Sequence, residues 1–151
     1  MGLFDFLFKK KKISLEDANK INQDYIAANP ESKNEEQAYI REASSAMTSG
    51  KFDQSRALYQ KMAVDYPENS GLYLSQVGVA YYFQQDYANA IKYYIQAKDN
   101  GADANMIDDN LWEVCEEMYE NDKNDTAAIE KYLAHYPNGS YVKKAKKILS
   151  K

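Results

Sequence analysis

The feature that most constrains this chain is an internal repeat with an offset of 35 residues. The segment GKFDQSRALYQKM begins at Gly50, and the segment QDYANAIKYYIQA begins at Gln85. At this offset small and aromatic residues recur in matching places: Phe52 with Tyr87, Ser55 with Ala90, Tyr59 with Tyr94, Met62 with Ala97 and, upstream, Ala43 with Gly78 and Tyr39 with Leu74. A fixed period of this length is typical of an array in which similar units stack on one another.

Helical periodicity runs through the chain, and no segment alternates between polar and apolar residues as a half-buried strand does. The helical patterns are separated by short breaks near Ser49-Gly50 and at residues 67–70, 84–86, 100–103, 121–125 and 137–140. Ser14 and Asp17 form a variant of the capping box, which predicts an additional helix at about residues 14–28. The sequence therefore predicts an all-α protein with eight helices of roughly 10 to 16 residues each.

The matched positions have a physical meaning within each helix pair. A small residue in the first helix, Ala43 or Gly78, allows the second helix to approach closely, and Ser55 or Ala90 completes the crossing. Aromatic rings cover a large area and fill the wedges beside such a crossing. Phe52, Tyr59, Tyr81, Tyr87 and Tyr94 are predicted to take that part.

These residues resemble the tetratricopeptide repeat (TPR-like) family, whose unit is a helix–turn–helix of about 34 residues. The copy around Gly78 matches best, and a looser third copy places Cys115 at the small position, with Ala128 and Tyr132 in its second helix. The resemblance implies a single TPR-like α-solenoid over residues 13–151. Its repeats would span about 36–69, 70–104 and 105–138, with an extra N-terminal helix and a capping helix at 139–151.

In proteins of this family the first helix of each pair lines a concave groove that holds a peptide or helix of a partner. Carried over by position, the resemblance implies a groove lined by Ile40, Met47, Val79, Tyr82, Phe83, Trp112, Glu116 and Tyr119, with Ser44 and Ser75 between them. The alternative for these side chains, Met47 and Val79 above all, is packing against neighbouring helices. Because the groove would be apolar and aromatic with an acidic end, it would suit an amphipathic or basic helix, and the implied function is that of an adaptor or scaffold.

Charge divides the chain into an acidic body and two basic ends. Residues 139–151 carry five lysines and no acid, whereas residues 99–125 carry ten acids and one lysine. An acidic body argues against nucleic-acid binding. It also leaves open a third interpretation, an immunity-type inhibitor whose acidic helix covers the basic site of a toxin.

The N-terminal segment MGLFDFLFKKKK offers a membrane hypothesis. As a helix it would place four apolar side chains on one face beside four lysines, which suits shallow burial in an anionic membrane surface: Leu3, Phe4, Leu7 and Phe8 with Lys9, Lys10, Lys11 and Lys12. The alternatives are a loose tail or a segment that docks on the protein itself, including its groove.

Residue types that carry chemistry are sparse. Cys115 is the single cysteine and His135 the single histidine, and they fall on different predicted helices. The stretch DNGADANMIDDN departs from a calcium loop at Ala104 and Asn110, where glycine and glutamate are needed. No phosphate-binding loop or nucleophile elbow occurs. We therefore expect a non-enzymatic, cytoplasmic protein, either free or peripheral to the membrane, without metal or cofactor.

Overall fold

The structure is a computed structural model, and it describes residues 34–151 together with Lys20 and Asp24. Seven α-helices follow one another in this part of the chain. They are α1 (Asn34–Thr48), α2 (Phe52–Asp65), α3 (Ser70–Phe83), α4 (Tyr87–Asp99), α5 (Ala104–Asn121), α6 (Ala127–His135) and α7 (Val142–Leu149), with a short 3-10 helix at Pro67–Asn69 before α3.

The predicted all-α class is confirmed for the described part of the chain, where every element is helical. Each predicted break falls between two observed helices. Helix α5 is longer than expected, at 18 residues, and α6 and α7 are shorter, at 9 and 8 residues. The predicted helix at residues 14–28 and the predicted membrane segment at residues 1–12 lie outside the described residues, apart from Lys20 and Asp24.

Helix α3 lies at the centre of the packing. Each helix packs on the next one in the chain, and the most extensive contact is between α3 and α4. Ten of the 14 residues of α3 are buried, which follows from a sequence that is apolar on nearly every side. Of the three tyrosines of α3, Tyr73 and Tyr82 are buried and Tyr81 is half-buried, so these rings and the small residues of the helix serve mainly to fill the interior.

Small residues bring the paired helices together as predicted. In the α3–α4 pair, a Cβ atom added to Gly78 would lie 2.7 Å from Cε1 and 2.8 Å from Cδ1 of Tyr94, and 3.3 Å from the carbonyl oxygen of Ala90. In the α1–α2 pair, the Ser55 hydroxyl donates a hydrogen bond of 2.9 Å to the carbonyl oxygen of Ala43. The α3–α4 crossing leaves no room for a side chain at position 78, and at the α1–α2 crossing the buried Ser55 hydroxyl bonds directly to the backbone of α1.

The turns within these two pairs repeat as well. Gly50 has a φ of 75° and Gln85, 35 residues later, has a φ of 60°. Both are in the left-handed region that glycine adopts readily and that other residues adopt at a cost of about 1–2 kcal/mol. The repeat therefore extends to the backbone conformation, although only the first copy has a glycine there.

Candidate functional site

The structure buries most of the side chains that the resemblance places in a groove. Six of the eight have an exposed fraction of 7 % or less, namely Ile40, Met47, Val79, Tyr82, Trp112 and Tyr119, and Ser44 and Ser75 are buried with them. Phe83 and Glu116 are half-buried. Of these eight side chains, only Phe83 and Glu116 keep substantial exposed surface in the structure, so the other six pack against neighbouring helices, which is the alternative set beside the groove. Whether any of the eight contacts a partner stays a prediction.

The burial has a local cause in each region. Val79 and Tyr82 lie on α3, which is covered on nearly all sides. Trp112 lies parallel to Tyr141, with ring centroids 5.3 Å apart and an interplanar angle of 4°, and its edge meets Tyr132 at 5.1 Å. Trp112 is therefore the centre of the C-terminal core and holds α5, α6 and the start of α7 together.

A cluster of rings and one carboxylate forms where α3 ends. We call it the aromatic–carboxylate cluster, and it consists of Phe52, Tyr82, Phe83, Tyr87 and Glu117. The Phe83 ring stacks on Phe52 at 6.1 Å and meets the edge of Tyr82 at 6.0 Å, while Tyr82 lies 5.9 Å from Tyr87. Tyr82 is buried and the other four residues are half-buried, so the cluster reaches the surface.

Glu117 ties the cluster to α5. Its two carboxylate oxygens each accept a hydrogen bond, one of 2.9 Å from the Tyr82 hydroxyl and one of 2.8 Å from the Tyr87 hydroxyl. A charged acceptor makes stronger hydrogen bonds than a neutral one. The carboxylate therefore fixes the end of α3 and the start of α4 against α5.

The turn between α3 and α4 determines where the rings lie. Helix α3 ends at Phe83, and Asp86 caps α4 by accepting a hydrogen bond of 3.2 Å from the backbone N–H of Asn89. Tyr87 is the first residue of α4. The short turn thus brings Phe83 and Tyr87 to the same end of the helix pair.

The phenols of the cluster do not titrate near neutral pH. Burial and the hydrogen bond to Glu117 raise the pKa of Tyr82 well above its usual value. The same two causes raise the pKa of Tyr87 to about 12. Both hydroxyls therefore stay protonated and keep donating to Glu117, which suits a rigid binding surface better than proton transfer.

Acidic residues continue from the cluster along α5. Glu113, Glu116, Glu117 and Glu120 follow one another at intervals of one to three residues, so they share one side of the helix. Glu113, Glu116 and Glu117 are half-buried and Glu120 is exposed. Glu120 is 3.4 Å from the ammonium of Lys123. We call these four residues the acidic row, and together with the half-exposed rings they form the candidate functional surface.

A second network joins the N-terminal turns of α5 to the C-terminal helices. Buried Asp108 accepts hydrogen bonds from the Tyr132 hydroxyl and, at 2.8 Å, from the backbone N–H of Ser140. Asp109 accepts one from the Tyr141 hydroxyl. The aspartates of the segment that was weighed as a calcium loop therefore hold α6 and α7 in place.

A shallow cavity of about 280 Å³ lies beside this network. Its lining includes Lys98, Asp108, His135 and Tyr136. The Lys98 ammonium donates a hydrogen bond of 2.8 Å to the carbonyl oxygen of His135 and lies 4.5 Å from the centre of the Tyr136 ring. Lys98 is therefore already engaged with the wall of the cavity.

The remaining reactive groups occupy structural positions. Cys115 is buried, as its place in the repeat predicts, and burial raises the pKa of its thiol to about 12. No group of three or more histidine, cysteine, aspartate or glutamate side chains in the described residues could hold a metal ion. Among the helices of that same part, none is long and apolar enough to cross a membrane.

Sequence reasoning missed the role of Glu117 and assigned Tyr87 only a wedge position. The glutamates of α5 recur at helical spacing in the sequence, but the pairing of Glu117 with two tyrosines 30 and 35 residues away depends on how α5 lies against the α3–α4 pair. No family profile matches the sequence, and a search of curated proteins and one of solved structures likewise found no match.

Proposed function

We propose that this protein is a non-enzymatic protein–protein interaction module, an adaptor or scaffold of TPR-like architecture. Its candidate surface, formed by the aromatic–carboxylate cluster and the acidic row, holds a basic or amphipathic segment of a partner. The observation that carries the proposal is the presence of half-exposed aromatic rings directly beside a row of glutamates on a rigid helical support.

The architecture supports the proposal through its helix pairs. The close crossings at Gly78 and at Ser55 have the small residues that TPR-like units place at these points. Successive packing of each helix on the next is also what a stacked array requires. A stack of this kind serves as a stiff frame, so that surface side chains are held in place before a partner arrives.

The chemistry of the surface indicates the kind of partner. Large rings that retain exposed area are the usual anchors of protein interfaces, and Phe83 is such a ring at the end of α3. Residues 99–125 contain ten acids and one lysine. This excess of negative charge attracts a positively charged segment and disfavours an acidic one. A partner helix with an apolar stripe and flanking lysines or arginines would match both parts.

A peptide selection tests the proposal. We would display random peptides, select for binding to the full chain, and measure the affinity of synthetic copies by fluorescence anisotropy. We expect the selected peptides to carry a net positive charge and at least one apolar anchor. We expect Glu116→Lys and Phe83→Ala each to weaken their binding at least tenfold, because each removes one half of the recognition.

Matched controls come from the same chain. Glu130→Lys introduces the same charge change at an exposed position of α6, and Val64→Ala shortens an apolar side chain that is 78 % exposed on α2. Both should leave the affinity unchanged. Selected peptides without a positive charge, or equal losses in Glu116→Lys and Glu130→Lys, would contradict the proposed surface.

A further inference from the structure

Helix α7 presents a strongly basic outer face. Lys143, Lys144, Lys146 and Lys147 are all exposed, whereas Ala145 is fully buried and Val142 and Ile148 are half-buried. No carboxylate of the described residues lies within ion-pair distance of these four ammonium groups. Lys144 lies 5.6 Å from the centre of the Tyr141 ring, a contact that leaves its charge at the surface, so all four lysines face a possible external partner.

The helix that carries these lysines is held firmly. Tyr141, the residue before α7, donates its hydroxyl to Asp109 and stacks on Trp112. Ala145 packs into the core, and the whole helix lies against α6. The lysines consequently point away from a fixed support and form a patch of constant position.

An apolar side chain adjoins the basic face. Leu149, at the end of α7, has an exposed fraction of 37 % and is one of two exposed large hydrophobic residues in the part that the structure describes. Leu149 follows Ala145 by four residues and Lys146 by three, so it lies at the border between the packed side of α7 and its lysines. Lysine, a point charge on a flexible stem, suits mobile anionic headgroups better than it suits a geometrically defined partner.

The charge of the remaining body gives this patch an orientation. Residues 34–138 contain 18 acids and 8 bases, whereas residues 139–151 contain five lysines and no acid. An anionic surface repels the first part and attracts the second, so α7 would face the surface and the acidic row would be kept available. We propose that the outer face of α7, with its four lysines and with Leu149 at its border, docks on anionic lipid membranes.

The sequence of the N-terminal segment supplies a second element of the same chemistry. Residues 1–12 carry four lysines together with Leu3, Phe4, Leu7 and Phe8. Stable association with a membrane generally requires two weak signals acting together. The outer face of α7 is one such signal, and it consists of residues that the structure describes. Its contribution to membrane binding can be measured separately from that of residues 1–12.

The test is co-sedimentation of the full chain with vesicles. The fraction of protein that sediments would be measured with phosphatidylcholine vesicles that contain or lack phosphatidylserine. The wild type would be compared with one variant, the α7 variant, that carries four changes together: Lys143→Gln, Lys144→Gln, Lys146→Gln and Lys147→Gln. A lysine near an anionic surface contributes about fivefold to binding, so we expect the variant to bind anionic vesicles at least tenfold more weakly. Binding of the wild type should also require phosphatidylserine and weaken at high salt.

The matched control removes four other lysines, with Lys51→Gln, Lys92→Gln, Lys123→Gln and Lys131→Gln. All four are exposed, so replacing them should leave the fold intact. The change in net charge is the same as in the α7 variant, because four lysines are replaced in each. The control should bind anionic vesicles clearly more tightly than the α7 variant, because it keeps the four lysines of the outer face. Equal losses in both variants, or equal binding to vesicles without phosphatidylserine, would overturn the proposal.

Two further measurements identify a different occupant. If a labelled DNA duplex binds through the α7 lysines and vesicles do not, the face is a nucleic-acid site and the membrane proposal fails. If sedimentation equilibrium shows salt-sensitive self-association that only the α7 variant loses, and vesicles do not bind, the occupant is the acidic surface of a second copy. The first outcome leaves the proposed peptide-binding surface untouched, because that surface lies on other helices. In the second outcome the acidic row itself would hold α7 of another copy, and added selected peptide should then compete with self-association.

Discussion

The crossing at Gly78 allows a prediction whose sign is decided by two opposing effects. In an unobstructed helix, replacing glycine by alanine stabilises by about 1 kcal/mol because the backbone loses less freedom. Here the new methyl carbon would lie 2.7 Å and 2.8 Å from two ring atoms of Tyr94, a residue that is completely buried. The ring has no open space to enter, so α3 and α4 must move apart.

Forcing an extra methyl group into a packed core costs typically 1–3 kcal/mol, and the rigidity of the ring places this site in the upper part of that range. After subtracting the gain in helix propensity, we expect Gly78→Ala to lower the free energy of unfolding by about 1–2 kcal/mol. For a chain of this size the melting temperature should fall by roughly 2–8 °C. Urea unfolding followed by circular dichroism measures the change directly.

The propensity term can be calibrated within the same protein. Ala57 is exposed on α2, and Ala57→Gly should destabilise by about 1 kcal/mol without any change in packing. The steric cost at position 78 is then the loss in Gly78→Ala plus this value. If Gly78→Ala instead stabilised the protein by about the calibrated amount, the close crossing of α3 and α4 would be refuted.

Two further outcomes follow from single positions. Gln85→Gly should raise the free energy of unfolding by about 0.5–1 kcal/mol, because glycine adopts the φ of 60° without strain. The control is Gln84→Gly, at a position with a φ of −84°. An equal effect of both changes on urea unfolding would contradict backbone strain at Gln85. Tyr87 has a pKa of about 12 in the folded chain against 10 for an unperturbed tyrosine, so its contribution to stability is complete below pH 10 and is lost as the pH rises towards 12. Tyr87→Phe should therefore flatten part of the decline in stability between pH 10 and 12, and identical declines for both proteins would show that Tyr87 does not contribute to it.

Several elements could be predicted because their causes are local in sequence. The breaks at Ser49-Gly50 and at residues 84–86 separate helices as expected, since turns depend on a few adjacent residues. The small positions Gly78 and Ser55 also lie where predicted. The partners in each crossing belong to one helix pair, so the spacing along the chain determines which faces meet.

The candidate surface was predicted only in part. Phe83 and Glu116 keep exposed area, as the resemblance implies, but Val79 and Tyr82 are buried. Exposure depends on everything that packs against a helix, including elements far away in the chain. A position in a repeat unit therefore indicates which way a side chain points and leaves open what covers it.

The helices of the described part, their order and their pairwise crossings follow from local patterns in the sequence, because periodicity and residue size act over one helix pair at a time. The contacts of Glu117 with Tyr82 and Tyr87, and of Asp108 with Tyr132 and the loop before α7, depend instead on the tertiary structure. Both contacts span 24 residues or more, and any of several acids and tyrosines could have met. Which acid meets which tyrosine depends on how successive helix pairs stack, and that stacking is a property of the whole packed core.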